Sequence, residues 1–464
     1  MYRHIKNIVF SIAVALTAIA VVSLPGCTKL NQVSPTSVPN ANMFKDTTSL
    51  QEALTGLYST LESENYYGAF YPMFADLNSD NGVAGGYNNT SLNEFGYYSV
   101  TTTNVYLQDM YIAMYYAVAN ANAIIANVGS VPHITQQQLK AVKGQALTIR
   151  ALVHFDVLRA FGYHWDTTSP YGIPVVLSVQ SAGDVVPRST VAASYSAILA
   201  DLTNAATLLA GQSGRNANYI NPAIVNALLA RVYLYQKDYT NAAKYAALVI
   251  NDGAFALADQ TSFPSIYTTK LGKESILELP FNQQNPSFYN ATTYARPGAD
   301  ATEVLFIGSE DLKDFLVART GDLRINLLDT GSENFQPDVR TLKYASDITQ
   351  KDNSAYVIRI AEMYLIRAEA LGRTTGLADL NMVRVNRGMA PLAPFDVPDN
   401  ATYAQAVADE NRSEFNFEGH RYFDLARTGQ VNSVLGVPAS NSCYPIPQHE
   451  IDATHGVVVQ NPGY

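Results

Sequence analysis

The chain has 464 residues, 47% of them hydrophobic and only 15% charged, with a formal net charge of −10. That length can hold a large core, and an acidic chain with no basic stripe or Arg-rich run excludes nucleic acid as a partner. Tyrosine occurs 30 times, and Asn, Thr and Ser fill the stretches between apolar runs, so the surface is rich in amides, hydroxyls and rings.

At the N-terminus, Arg3 and Lys6 precede an apolar run, Ile8 to Val22, broken only by Ser11 and Thr17. The run is short for a membrane span and ends in small residues, as a secretory signal does. Leu24-Pro25-Gly26-Cys27 follows and resembles a bacterial lipobox. Residues 1–26 are therefore read as a lipoprotein signal peptide and Cys27 as the lipidated first residue of the mature chain. Cleavage removes Arg3 and Lys6 and takes the charge to −12. The only other cysteine is Cys443, expected to be a small buried hydrophobe. Residues 27–42 form a polar, lipidated tether with Pro35 and Pro39. Thr28, Lys29, Leu30 and Asn31 include no acidic pair, so the anchor is better supported than the membrane face it occupies.

Residues 43–464 are expected to form a single, mainly α domain. Leu139, Val142, Ala146, Ile149, Val153, Val157 and Ala160 recur at spacings of three and four and draw one apolar helical stripe. Thr135 with Gln138 is a capping box and Gly162 a stop. Asn221-Pro222 caps a second helix, which turns near Lys237-Asp238 into a third, from Thr240 to Ile250, stopped by Gly253. In this pair Leu229, Ala230, Tyr233, Ala242, Ala246 and Val249 fall where a tetratricopeptide unit packs its two helices. One such hairpin cannot bury its own face, so others must stack on it; 103–162, 190–250, 355–388 and 402–435 are the candidates. Between them lie long inserts, 62–102, 163–188, 252–308 and 319–354, with short β-like runs at Ser275–Leu279 and Thr341–Tyr344. Loops of this length inside a compact domain are usually functional.

Four stretches carry a family resemblance: Arg359-Ile-Ala-Glu-Met-Tyr-Leu-Ile-Arg-Ala-Glu-Ala370; Glu410 through Asn-Arg-Ser-Glu-Phe-Asn-Phe-Glu-Gly-His-Arg-Tyr-Phe-Asp-Leu-Ala to Arg427; Pro445-Ile-Pro-Gln-His-Glu-Ile-Asp452 with Gln460-Asn-Pro-Gly-Tyr464; and Arg150-Ala-Leu through Phe161-Gly162, followed by Gly172-Ile-Pro174. Together they resemble the SusD/RagB family of outer-membrane nutrient-uptake lipoproteins. The resemblance implies a tetratricopeptide-like helical-hairpin scaffold with a few short strands and a ligand face built from inserts. It also implies an outer-membrane, lipid-anchored location facing the cell exterior, a SusC-like TonB-dependent transporter as partner, an oligosaccharide or other nutrient as ligand, and neither cofactor nor catalysis.

The stretch 410–427 crowds Arg412, Glu414, Glu418, His420, Arg421, Asp424 and Arg427 among Phe415, Phe417, Tyr422 and Phe423. His420 and Asp424 have a spacing that suits a metal, but no further His or Cys lies nearby. Alternating charges between rings better suit a buried ion network that locks helices together, and Arg359, Glu362, Arg367 and Glu369 read the same way. Ligand binding is therefore sought in the inserts, where flat rings suit sugar C–H faces and amides suit the hydroxyl rim. In 62–102 the candidates are Tyr66, Tyr67, Asp80, Asn81, Tyr87, Asn88, Tyr97 and Tyr98; in 252–308 they are Tyr289, Tyr294 and Arg296, beside Asn282 to Asn285. Trp165, the only Trp, reads as a packing anchor. Two other function classes stay open. A glycan-acting enzyme would need facing carboxylates, for which Asp76 and Asp80 are the pair to test. A protein-interaction scaffold would have no ligand site of its own.

Overall fold

Asn221 shows how the sequence sets the frame. Its side chain accepts from the backbone N–H groups of Ala223 and Ile224 at 3.0 and 3.2 Å, ahead of Pro222 at the first helical position. In the computed structural model, residues 43–84, 89–181, 183–212, 214–287, 305–329, 339–344 and 352–464 are described. The signal peptide, Cys27 and the tether lie outside them, as do Tyr87, Asn88, Tyr289, Tyr294 and Arg296.

The protein is mainly α. In chain order the frame comprises α1 (Thr47–Leu61), α2 (Phe70–Leu77), β1 (Gly82–Ala84), α3 (Thr90–Gly96), α4 (Val105–Asn127), α5 (Gln136–Phe161), α6 (Val191–Leu208), α7 (Pro222–Tyr235) and α8 (Tyr239–Asp252). Then follow β2 (Ser275–Leu279), β3 (Phe306–Gly308), α9 (Glu310–Val317), β4 (Leu328–Asp329), β5 (Arg340–Thr341), β6 (Ala355–Arg359), α10 (Ile360–Asn386), α11 (Asn400–Phe415), α12 (Arg421–Arg427), α13 (Val431–Leu435) and α14 (Gln448–Ala453). Successive helices pack side by side: α4 on α5, α5 on α6, α7 on α8, α8 on α10 and α10 on α11.

The helix signals lie where the sequence puts them. Thr135 and Gln138 close a capping box at the start of α5, and Gly162 ends it. Gly253 ends α8 at φ 74°, a left-handed conformation that favours glycine. Leu229, Ala230, Ala242, Ala246 and Val249 are buried between α7 and α8, while Tyr233 lies half-buried against Tyr245 with ring centroids 5.6 Å apart. The main hydrophobic cluster runs from Leu50 to Val458, so both ends of the described chain contribute to one core. No helix among the described residues is long and apolar enough to cross a membrane.

The strands are short antiparallel pairs: β1 with β3, β2 with β6 and β4 with β5. The run expected at Thr341–Tyr344 forms a strand only at Arg340–Thr341, because Lys343 and Tyr344 turn inward. Lys343 donates to the carbonyls of Glu414 and Asn416, and Tyr344 to that of Phe417.

The first insert differs from the expected loop. Its opening half threads the interior: α2 is buried along its whole length, and Phe74 stacks on Phe95 of α3 at 3.8 Å. The eight residues of α2 include five large apolar side chains, so the segment is core by composition.

Candidate functional site

The charged motif at 410–427 belongs to the frame. Arg359 reaches Glu418 at 2.8 Å, Glu414 at 2.8 Å and Glu274 at 3.1 Å. Arg387 spans Glu274 and Glu414, Arg324 spans Glu410 and Glu414, and Lys343 pairs with Glu418 at 2.7 Å. All of these side chains are buried, so each charge is held by several partners at once. His420 stacks on Phe415 at 4.4 Å, and burial, then the nearby Arg231 and Arg159, push its pKa well below the ordinary value. Asp424 pairs with Arg427. Cys443 is fully buried, with its thiol pushed up to about 12 by burial. Trp165 stacks on Tyr163 at 4.8 Å and packs beside Leu425 and Val431.

Several residues proposed for the ligand face sit inside instead. Tyr66 and Tyr67 are buried and both donate to Asp156, with their rings 4.5 Å apart; Tyr71 completes the cluster at 5.4 and 5.5 Å. Their faces are covered by one another, which removes them from a ligand. Asn81 is buried as well, because its amide oxygen accepts from Arg412 at 3.0 Å and its nitrogen donates to Asp76. Asp80 is taken by Arg421 through two bonds of 2.7 Å, with Arg412 at 3.2 Å. Burial penalises its charge, yet these guanidinium groups hold its pKa below the ordinary value.

What the structure brings together is the two inserts. The strand β1 of the first pairs with β3 at the end of the second, Gly82 opposite Gly308 and Ala84 opposite Phe306. The fit at Gly82 is close: a Cβ there would lie 1.7 Å from the Phe306 ring. Ser309, just after β3, donates from its backbone to the Asn81 carbonyl at 2.9 Å and from its hydroxyl to the Asp80 carbonyl at 2.6 Å. A second tie joins Asn285 to Glu62 at 2.6 Å. Arg412 adds a third segment, pairing with Asp311 while its guanidinium lies 4.6 Å from the Phe315 ring centre.

Around this junction the rim is open. Tyr97 is 75% exposed and Val83 is 43% exposed. Gly96 abuts Ala84, with its Cβ position 3.5 Å from the Ala84 nitrogen, so Tyr97 emerges directly beside β1. Tyr98 adopts φ 55°, is half-buried, and donates from its hydroxyl to the Ser79 carbonyl at 3.1 Å. In chain order, Tyr87 and Asn88 follow β1, and Tyr289, Tyr294 and Arg296 precede β3; all five lie outside the described residues.

Two residues the sequence reading passed over are Tyr116 and Ile112, which are 63% and 48% exposed on α4. They line a groove of about 610 Å³ between α1 and α4 with Glu52, Ser59 and Asp109. The signal lay in periodicity: Leu107, Met110, Met114, Ala117 and Ala121 form the buried stripe of α4, and both residues fall off it.

The carboxylate pair considered for catalysis, Asp76 and Asp80, is not arranged across a cleft. Asp76 is fully buried and accepts from the Gly419 N–H at 2.6 Å and from Asn81, while Asp80 is locked to Arg421. Neither carboxylate faces an open cleft.

Stacked helical hairpins joined by long inserts define the class: a helical repeat-scaffold protein. The chain belongs to the SusD/RagB family. Residues 30–234 match a SusD-like family described as "Starch-binding associating with outer membrane", and residues 338–441 match the SusD family. SusD-like protein P2 of Formosa agariphila is 24% identical, over 96% of this chain and 98% of that relative. A SusD superfamily protein from Bacteroides thetaiotaomicron VPI-5482 superposes with a TM-score of 0.79 at 25% identity, over 90% of this chain and 100% of that one. The surface glycan-binding protein A from Bacteroides thetaiotaomicron gives 0.75 at 21% identity, over 90% of this chain and 99% of that one, and shares the fold.

Proposed function

We propose that this protein is an outer-membrane lipoprotein, anchored through Cys27, that binds carbohydrate at the junction of its two inserts and passes it to a SusC-like TonB-dependent transporter without cutting it. The observation that carries the reading is the β1–β3 pair, which fastens both ring-bearing inserts to one place with Tyr97 exposed beside it. An exposed tyrosine offers a flat apolar face and a hydroxyl, the two features a sugar ring can use. Family membership and the glycan-binding name of a shared-fold neighbour support carbohydrate as the ligand class. The fixed carboxylates of the interior support binding rather than turnover. Tyr97, Tyr98, Tyr87, Asn88, Tyr289, Tyr294 and Arg296 are the ligand-binding set we propose, with Asp80 as the residue that fixes the rim to α12.

A glycan array probed with the detergent-solubilised protein, followed by product analysis of every binder, tests this. Binding to at least one oligosaccharide, with the sugar recovered intact and a TonB-dependent barrel co-purifying from native membranes, is the expected result. Cleavage of a bound sugar would replace the reading with an enzyme. Co-purification of the barrel without any glycan bound would replace it with an interaction scaffold.

A further inference from the structure

A second groove, of about 560 Å³, opens on the frame where the α7–α8 turn, α10, α11 and α12 meet. Its charges fall into two sets. On the floor, Arg427 holds Glu369 through bonds of 2.6 and 2.8 Å and Asp424 at 2.7 Å, and Arg421 is committed to Asp80. These floor groups are satisfied and fixed. On the rim, Lys237 is exposed and Arg373 is half-buried, with one weak bond to the Val397 carbonyl at 3.4 Å. No carboxylate of the described residues forms an ion pair with either. Both acids that line the groove are thus consumed by Arg427; Asp166, near Lys237, and Asp399, near Arg373, are bonded to Thr168 and Thr402, so the two cations are left without a salt-bridge partner among the described residues.

The rest of the lining suits hydroxyls. Asn400, Gln430 and Thr428 border the groove, and Tyr239 presents a ring that is 42% exposed. Gly372, at φ 67°, breaks α10 at the groove wall, and no atom lies within 4 Å of its Cβ position. The chain as a whole is acidic at −10, so a cationic groove on it concentrates anions locally while the remaining surface repels them. We infer that this groove is a second binding site, separate from the insert rim, for a short oligosaccharide that carries carboxylate groups. Lys237 and Arg373 would take the carboxylates, and Tyr239 with the amides would take the sugar ring.

Calorimetric titration of the detergent-solubilised full-length protein with trigalacturonate tests this, with the methyl-esterified trisaccharide and a tetra-aspartate peptide as comparisons. Trigalacturonate is expected to bind, to weaken as salt rises from about 50 to about 300 mM, and to lose about tenfold in affinity in the Lys237→Ala/Arg373→Ala double variant. The Lys237→Arg/Arg373→Lys variant should retain binding, and both doubles should melt near the wild type because neither side chain supports the core. Saturating the protein with a neutral oligosaccharide that binds the rim should leave trigalacturonate affinity unchanged, which separates this site from the rim. Absence of binding, equal binding of the neutral ester, or an unaltered affinity in the double alanine variant would overturn the inference. Tetra-aspartate binding as tightly as the sugar would also overturn it and reassign the groove to an acidic protein segment.

Discussion

Arg359, at the junction of β6 and α10, meets Glu418 in a two-point ion pair, with bonds of 2.8 and 2.9 Å between side chains that are almost wholly buried. Lys343 and Tyr267 bond the same carboxylate. Removing one member of such a set leaves the others charged and unpaired in the interior, at a cost of roughly 3–5 kcal/mol. Glu418→Ala should therefore lower the melting temperature markedly, while the folded fraction still binds ligand with wild-type affinity. Thermal denaturation and calorimetry on the same preparation read both quantities.

Gly82 should tolerate no side chain. Its Cβ would overlap the Phe306 ring, and Phe306 is itself packed against Phe417 at 5.1 Å. Gly82→Ala should cost about 1–3 kcal/mol through overpacking and, by loosening the β1–β3 pair, weaken glycan binding as well. Gly56→Ala, at an exposed helical position with nothing within 4 Å of its Cβ, is the matched control: it should stabilise the fold by about 0.5–1 kcal/mol and leave glycan binding unchanged.

Asp76 carries a pH dependence. Burial raises its pKa to about 7, against the opposing bonds from Gly419 and Asn81. A carboxyl with a raised folded-state pKa favours the fold when protonated. That contribution is complete below its ordinary pKa of about 4 and is lost as pH rises toward 7. Asp76→Asn cannot titrate, so the wild type should lose roughly 2 kcal/mol relative to the variant between pH 5 and 8. Denaturant unfolding at both pH values measures this; a constant difference would mean that Asp76 is ionised throughout.

Cys27→Ala should move the protein out of the membrane fraction and abolish labelling with a palmitate analogue. Fractionation before and after carbonate washing is the check, and unchanged membrane association would remove the proposed anchor.

The helical frame was legible because its signals are local. Thr135 with Gln138, Asn221 with Pro222, and Gly253 each fix a helix end within a few residues, and the structure places all three where expected. The ion network was legible for a related reason: acids and bases interleaved with rings have few arrangements other than mutual pairing in a core. The ligand face was legible only in part. Tyr66, Tyr67 and Tyr71 have the same composition as exposed ligand rings, and distant partners make them interior: Asp156 on α5 for Tyr66 and Tyr67, and Phe423 on α12 for Tyr71. Asp80 was drawn inward in the same way by Arg421, 341 positions away. Local composition identifies a tyrosine-rich insert, but burial depends on partners far along the chain. The pairing of the two inserts through Gly82 and Phe306 is non-local too, and no short-range pattern announces it.

Calorimetric titration of wild-type protein and Tyr97→Ala with the best oligosaccharide from the array tests the central claim most directly. The expected result is a loss of about tenfold or more in affinity, of the order of one stacked ring, with the melting temperature unchanged because Tyr97 is 75% exposed. Equal affinity in the two proteins would contradict the assignment of carbohydrate binding to the junction of the inserts.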